Sequence, residues 1–345
     1  MATWDPSNLP TRPGIYMRFI RAAAAQISGG TLGTVAIPLL TYAGTAVEKS
    51  FYTVESEAAA VELFGSANIQ SVLLALAGGA KDVLVYTMPD TAVADDYVDM
   101  REALDARPFN VFVFDGEFDS VQQAATKTWV TRNRDEGKHF IVVIGGDAAS
   151  DADPALGNAR STLNEDDYIV NVISGGIVGG VTYTSAEYAP FIAGDIAGTP
   201  ISQSITYDQL TLEDVTKRLT NSQTVAALAA GSLLFTNDGA KVKIEQGLVT
   251  SGLKIKSIRT QQAITNDISR TATDSYIGKL PNNADGQATL IVAVKAYLES
   301  LGAAVLTNPI VMLDPQRPSV GDSVFLAVSY TETDTMERIF ITVNI

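Results

Sequence analysis

His139 is the sole histidine of the chain, and a serine hydrolase would need it as the base between a hydroxyl nucleophile and an orienting carboxylate. It stands at the head of the apolar run Phe140-Ile141-Val142-Val143-Ile144, directly after the charged stretch Arg132 to Lys138. No Gly-Thr-Ser-type nucleophile segment accompanies it, so His139 reads as a structural or surface residue and no catalytic residue is assigned. Gly145-Gly146 and the run Gly175-Gly176-Ile177-Val178-Gly179-Gly180 could cradle phosphate. Neither fits GxGxxG leading into a helix with an acidic residue about 20 positions on, and no GxxxxGK[ST] occurs. They read as tight turns at strand ends, with no nucleotide or other cofactor. Asp147, Asp151 and Asp153, or Glu165-Asp166-Asp167, could offer oxygens to a hard cation. They lack the EF-hand order and read as solvated loop carboxylates, with no metal. Lys241, Lys243, Lys254, Lys256 and Arg259 form the main basic concentration. Two readings stay open for it: a solvated strand face, or a polar contact with an acidic protein surface.

Alternating and periodic stretches give the elements that must position these groups. Phe109-Asn110-Val111-Phe112-Val113-Phe114 and Phe140 to Ile144 are near-continuous apolar strands, and Asp119 to Arg134 between them reads as a helix. Strand, helix, strand at this spacing is a βαβ unit in a parallel sheet covered on both faces. Asp82 to Tyr86 and Tyr168 to Ile173 add strands. Helices are expected at Glu55 to Phe64, Ile69 to Leu76 with a glycine stop at Gly78-Gly79, Val93 to Ala106, and Ser185 to Ala197, the last rich in small residues that permit close packing. Further on, a helix is expected over Ser222 to Ala230. Leu233-Leu234-Phe235 and Lys241 to Glu245 flank Asn237-Asp238-Gly239 as a hairpin. Lys254 to Arg259 alternates as a strand with its basic residues on one side. Gln287 to Leu301 is an amphipathic helix with Leu290, Ile291, Val294, Tyr297, Leu298 and Leu301 on one face, and Lys295 and Glu299 on its polar side.

The chain has 345 residues, 46% of them apolar, with no cysteine, which excludes disulfides, thiolate catalysis and Cys-based metal sites. No run of about 18 apolar residues predicts a membrane span, and Met1 to Pro6 lacks a secretory signal pattern. The net charge of −15 argues against nucleic acid as the main partner. Its placement is uneven: residues 1–198 hold 12 Lys and Arg against 25 Asp and Glu, whereas residues 199–345 hold 12 against 14. The acidic part repels its copies, while the balanced part can pack on other proteins.

Both ends read as strands that need a partner. Glu337 to Ile345 alternates apolar and mostly polar side chains, as does Arg12 to Phe19, which opens on Pro13-Gly14. An unpaired apolar strand invites pairing with another chain. Ile15, Tyr16, Met17 and Phe19 at one end, and Ile339, Phe340, Ile341 and Val343 at the other, are therefore expected to exchange β-pairing between copies. Gly29, Gly30 and Gly33, in the small-residue stretch Ala22 to Thr34, are expected hinges.

The ordered set of local patterns resembles the contractile-tail sheath proteins of bacteriophages and phage-tail-like particles. The matching stretches are Arg12 to Tyr16, Ala189 to Gly194 before Ser204-Ile205-Thr206-Tyr207, Ala230 to Leu233 followed by Val242 to Gly247, Ile258-Arg259, Ile264 to Ile268, Tyr276 to Lys279 with Asn282-Asn283, and Thr335 to Ile339. The resemblance implies an α/β fold with a central subtilisin-like domain, a C-terminal α/β domain and extended arms. The expected division is a 1–24 arm, a small α/β part over 25–90, a central domain over 91–198, and a C-terminal domain over 199–345 ending in the arm strand 337–345. The stretch from Thr87 to Asp95 leaves no room for the β-sandwich insertion of longer members. The resemblance also implies a homo-oligomer of stacked rings or helical form, with an inner tail tube, baseplate and tail terminator proteins as partners and no direct membrane insertion. Lys241, Lys243, Lys254, Lys256, Arg259, Lys295 and Glu299 become candidates to face the tube or a neighbour. Such a particle is a virion or phage-tail-like assembly made in the host cytoplasm. The alternatives are another self-assembling tail component, a tube or baseplate protein, and a soluble α/β hydrolase.

Overall fold

The computed structural model describes residues 33–344. Buried apolar strands alternate with helices along the first half of the chain, so the sheet they build is covered on both faces. The chain runs through β1 (Thr34–Leu39), β2 (Phe51–Val54), α1 (Glu57–Phe64), α2 (Gln70–Gly78), β3 (Asp82–Thr87), α3 (Ala94–Asp105), β4 (Val111–Val113), α4 (Ser120–Asp135) and β5 (Ile141–Ile144). It continues through α5 (Ala148–Ala152), α6 (Pro154–Leu163), β6 (Ile169–Val172), β7 (Gly176–Val178), β8 (Val181–Tyr183), α7 (Ser185–Gly198), β9 (Asp214–Val215), α8 (Asn221–Ala229) and β10 (Ser232–Leu233). The remaining elements are β11 (Phe235–Asn237), β12 (Val242–Ile244), α9 (Ile255–Thr271) followed by a π-helical turn (Ala272–Tyr276), α10 (Ala284–Ser300), β13 (Leu306–Leu313) and β14 (Leu326–Glu332).

Seven strands form the central sheet in the order β10-β6-β5-β4-β1-β3-β2. All neighbours are parallel except β2 and β3. The fold is therefore mixed α/β with a mostly parallel sheet, as the βαβ pattern requires. Strands from both sides of residue 90 share it. The described residues separate into two compact units, 33–266 with 332–344, and 267–331.

The central strand β1 begins at Thr34, the last residue of the stretch expected to be a flexible connection. Its sequence carries Pro38, which normally argues against an interior strand. The register removes the conflict. β1 pairs with β3 over all six residues but with β4 only at Val35 and Ala36. Thr34 O accepts from Asn110 N on the β4 side, so by alternation Pro38 also faces that side, beyond the last pair, where no donor is required. Two residues on, Leu40 N finds the half-buried Asp115 carboxylate at 2.9 Å. Gly33, an expected hinge, is held by close contacts in this fold. It is buried at φ +115°, donates to Asn110 Oδ1 at 2.9 Å and accepts from Lys81 N, and an added Cβ would lie 2.7 Å from Lys81 Cβ. Gly29 and Gly30 lie outside the described residues, as do Ile15, Tyr16, Met17 and Phe19.

Two further expectations change. Lys254 to Arg259 is not a strand: α9 starts at Ile255, because Ile255 and Ile258 lie three apart and continue into Gln262, Ala263 and Ile264, all buried. Six residues with alternating character satisfy either period, and the longer apolar stripe decides for the helix. Residues 333–344 carry no strand or helix, since a strand exists only with a ladder partner.

Small residues let α2 and α7 meet backbone to backbone on the sheet. A Cβ on Gly194 would sit 2.0 Å from Ala75 O, and one on Gly78 2.1 Å from Phe191 O. Neither helix can yield without leaving the sheet. Gly194→Ala is therefore expected to lower stability by about 1–3 kcal/mol, the usual cost of overpacking, seen as a lower urea midpoint with an unchanged slope.

Candidate assembly surface at the C-terminal arm

The chain enters its last segment from β14 and is held there side chain by side chain. Glu332 accepts from Ser257 Oγ and, at 3.1 Å, from Gln261 Nε2; these donors are one turn apart on α9, so they lie on one face. Lys256 Nζ donates to Thr333 O. Lys254 Nζ lies 2.6 Å from Asp334 Oδ2 and 3.1 Å from Glu337 Oε2. Burial pulls the Lys254 ammonium down, but its hydrogen bonds to Asp334 and Glu337 outweigh this and leave it raised. At Asp334 burial raises the carboxyl, but the Lys254 contact, the Thr335 amide and the neighbouring lysine charges together leave it lowered.

Glu337 is the last anchored residue. Only 9% of its side chain is exposed. Oε2 also accepts from Gln246 Nε2 at 2.8 Å, and Oε1 from Thr206 Oγ1 at 3.1 Å and Ser204 Oγ at 3.3 Å. Gly247 N donates to Thr206 Oγ1, which leaves the Thr206 hydroxyl hydrogen for the carboxylate, while Ser204 Oγ accepts from Thr206 N and shares its one hydrogen between Thr206 Oγ1 at 2.9 Å and Glu337. Beyond this point the apolar side chains stand in solvent: Ile339 is 72% exposed, Phe340 92%, Ile341 80% and Val343 73%. A chain does not ordinarily leave four such residues uncovered in a row of seven.

In the unit formed by residues 267–331, β13 and β14 make a two-stranded sheet. α10 packs on β13, with Val294, Tyr297, Leu298, Leu306 and Val311 buried. Tyr297 donates to Asp267 Oδ2 at 2.7 Å. Ile310, Met312 and Val328 of this sheet remain 42–50% exposed. Exposed apolar residues thus occur both on a loose arm and on a small sheet.

Residues 90–250 match the phage tail sheath protein central domain, and residues 250–345 match the phage tail sheath C-terminal domain. The chain belongs to the phage tail sheath family. Its sequence is 26% identical over 222 residues to the tail sheath protein of Clostridium phage phiCD119, and the match spans 61% of this chain and 58% of that protein's length. The sheath fold extends over nearly all of the chain in solved structures. The sheath tail protein of Desulfitobacterium hafniense superposes with a TM-score of 0.73 at 20% identity, covering 93% of this chain and 100% of the other. The sheath of an extracellular contractile injection system, in its contracted state, gives 0.74 at 12% identity with 98% of each chain covered. The helical sheath of the anti-feeding prophage gives 0.73 at 14% identity, covering 97% and 99%.

The basic residues of this sheath chain separate into two groups. Lys254 and Lys256 do not present a free basic face, because they are spent on Asp334, Glu337 and Thr333. Arg259 is buried against the end of α7, where it donates to Thr199 O, and burial lowers its guanidinium to about 10. Lys241 is exposed at the β11–β12 turn, and Lys243 pairs with Asp238. Lys295 and Glu299 pair at 3.8 Å, both exposed on α10. His139 is half-buried, with Nδ1 2.8 Å from the Tyr168 hydroxyl; burial and Arg134 lower it. Of the acidic residues read as solvated loop carboxylates, Glu165 and Asp167 are exposed, whereas Asp151 is buried and four of the six hold structural contacts. Asp147 caps α5, Asp153 caps α6, Asp151 accepts from Ser185 N and Oγ at 2.6 Å, and Asp166 takes Arg134 in a two-bond fork at 3.0 Å. Gly179 and Gly180, both at positive φ, form the two-residue turn of the β7–β8 hairpin.

The node that the sequence did not disclose is Asp195. It sits in α7 near Arg259, and its Oδ1 accepts from Thr199 Oγ1 at 3.3 Å. Burial first, and then the charge of Asp208, raise this carboxyl from 3.8 to about 7. The folded chain thus holds the proton more tightly than the unfolded chain. Its contribution is full below about pH 4 and is lost as pH rises towards 7. Asp195→Asn should flatten the fall in stability across that window, measured by urea unfolding at pH 4.5, 6 and 7.5.

Proposed function

We propose that the chain is a structural subunit of a contractile tail sheath, in a phage tail or a phage-tail-like particle assembled in a bacterial cytoplasm. The observation that carries this reading is the exposed apolar arm of residues 338–344, rooted in a largely covered carboxylate, on a chain of the sheath family. In the assembly, Ile339, Ile341 and Val343 pair with a sheet of a neighbouring copy, and Ile15, Met17 and Phe19 of another copy lie beside them. The β13–β14 sheet is the acceptor best suited by its exposed Ile310, Met312 and Val328. Backbone bonds supply direction, and alternate side chains fix register. Burying one Ile-sized side chain is worth roughly 1.5–3 kcal/mol, so six give on the order of 10 kcal/mol before ordering costs. A contact of this head-to-tail kind does not close on itself, and it generates rings or a helix.

Contraction is then a repacking of folded bodies around links that persist, driven by strain stored in the extended lattice. An inner tube, a baseplate and a terminator are the partners, and no catalysis is involved. Lys241, Lys295 and Glu299 keep their candidacy as tube- or neighbour-facing residues, since they are exposed. A tube or baseplate component is the competing assignment. Negative-stain microscopy of the purified chain separates them: wide hollow cylinders or rings are expected, whereas narrow tubes or compact single particles would overturn the reading. Removing residues 338–345, or 1–19, should leave a folded monomer by circular dichroism that sediments without forming polymer.

A further inference from the structure

We infer that Glu337 is a mechanical pivot, which makes the root of the C-terminal arm and the first turns of α9 one stiff element. The inference rests on the reading of residues 338–345 as a strand lent to another copy. A lent strand can be tied to its body in two ways, through a slack tether or through a rigid root. The contacts at residues 332–337 describe the second. Glu332, Thr333, Asp334 and Glu337 are each taken by a side chain from the segment 254–261, which runs from the residue before α9 into its second turn. Glu337 is additionally held by Gln246, Thr206 and Ser204, from two other parts of the same unit.

A nearly buried carboxylate is costly unless its oxygens are satisfied. Here they accept from hydroxyl, amide and ammonium donors, and only that residue position fills the cluster, so the arm cannot slip by one residue without leaving donors and charge unpaired. The exit point is therefore fixed in register as well as in place. α9 is pinned in turn at Arg259, to the end of α7, and the helix continues to Thr271, past the boundary of the compact unit at residue 266. Force on the arm is thus received by the first turns of α9 and, through Arg259, by the end of α7, and not by a loose linker.

The absence of cysteine makes a single introduced thiol a unique label site. Met336, 90% exposed and lying between the two anchored carboxylates, is replaced by cysteine and carries a nitroxide in the full chain. In this background Glu337→Ala, and separately the isosteric Glu337→Gln, are compared with the parent for label mobility and for the concentration at which polymer appears. Several-fold faster label motion is expected for Glu337→Ala, less for Glu337→Gln, together with a several-fold higher critical concentration. Unchanged label motion in both variants overturns the pivot. Faster motion with a wild-type critical concentration also overturns it, because the stiffness would then serve no link. Wild-type polymer from the chain lacking 338–345 would instead remove the strand-lending reading, while the label result would still report on the root.

Discussion

The contact of α7 with α2 at backbone distance is the constraint on which the rest depends. A parallel sheet must be covered on both faces, and here the cover is held by glycines whose replacement would drive a carbon into a carbonyl oxygen. With α7 fixed against β1, β4 and β5, its last turn presents Asp195 and the Thr199 carbonyl at a set place. Arg259 is drawn to that place, and with it the start of α9. Lys254, Lys256, Ser257 and Gln261 then stand where the returning chain after β14 can be gripped. Close packing in the core thus sets the point where the arm leaves the body.

Much of the fold was legible because its signals are local. Phe109 to Phe114 and Phe140 to Ile144 could only be buried strands, the small residues of α7 announced close packing, and Asn237-Asp238-Gly239 marked a hairpin. Two failures have separate causes. β1 was missed because Pro38 breaks the strand rule, and the exemption depends on where β4 stops pairing, which no local window contains. Lys254 to Arg259 was misread because six residues suit two periods. The arm itself was legible as an apolar alternation. Its root was not, since the partners of Glu337 come from residues 204–206, 246 and 254, and only folding brings them together.

The basic cluster shows how composition can mislead about surfaces. Five cations in the more nearly neutral part suggested an outward face, yet Lys256 and Arg259 are buried, Lys243 and Lys254 are half-buried and paired with carboxylates, and Lys241 alone of the five is exposed. Positive charge near the arm is there to hold the chain's own carboxylates and a carbonyl. Electrostatic attraction to another protein, if it acts in this part, falls to few groups.

The two margins of the seven-stranded sheet are β10, with two residues, and β2, with four. Margins so short offer almost no template for a foreign strand. A chain with an exposed apolar ribbon could otherwise dock that ribbon on its own largest sheet. Curtailed margins leave such a ribbon few wrong destinations there.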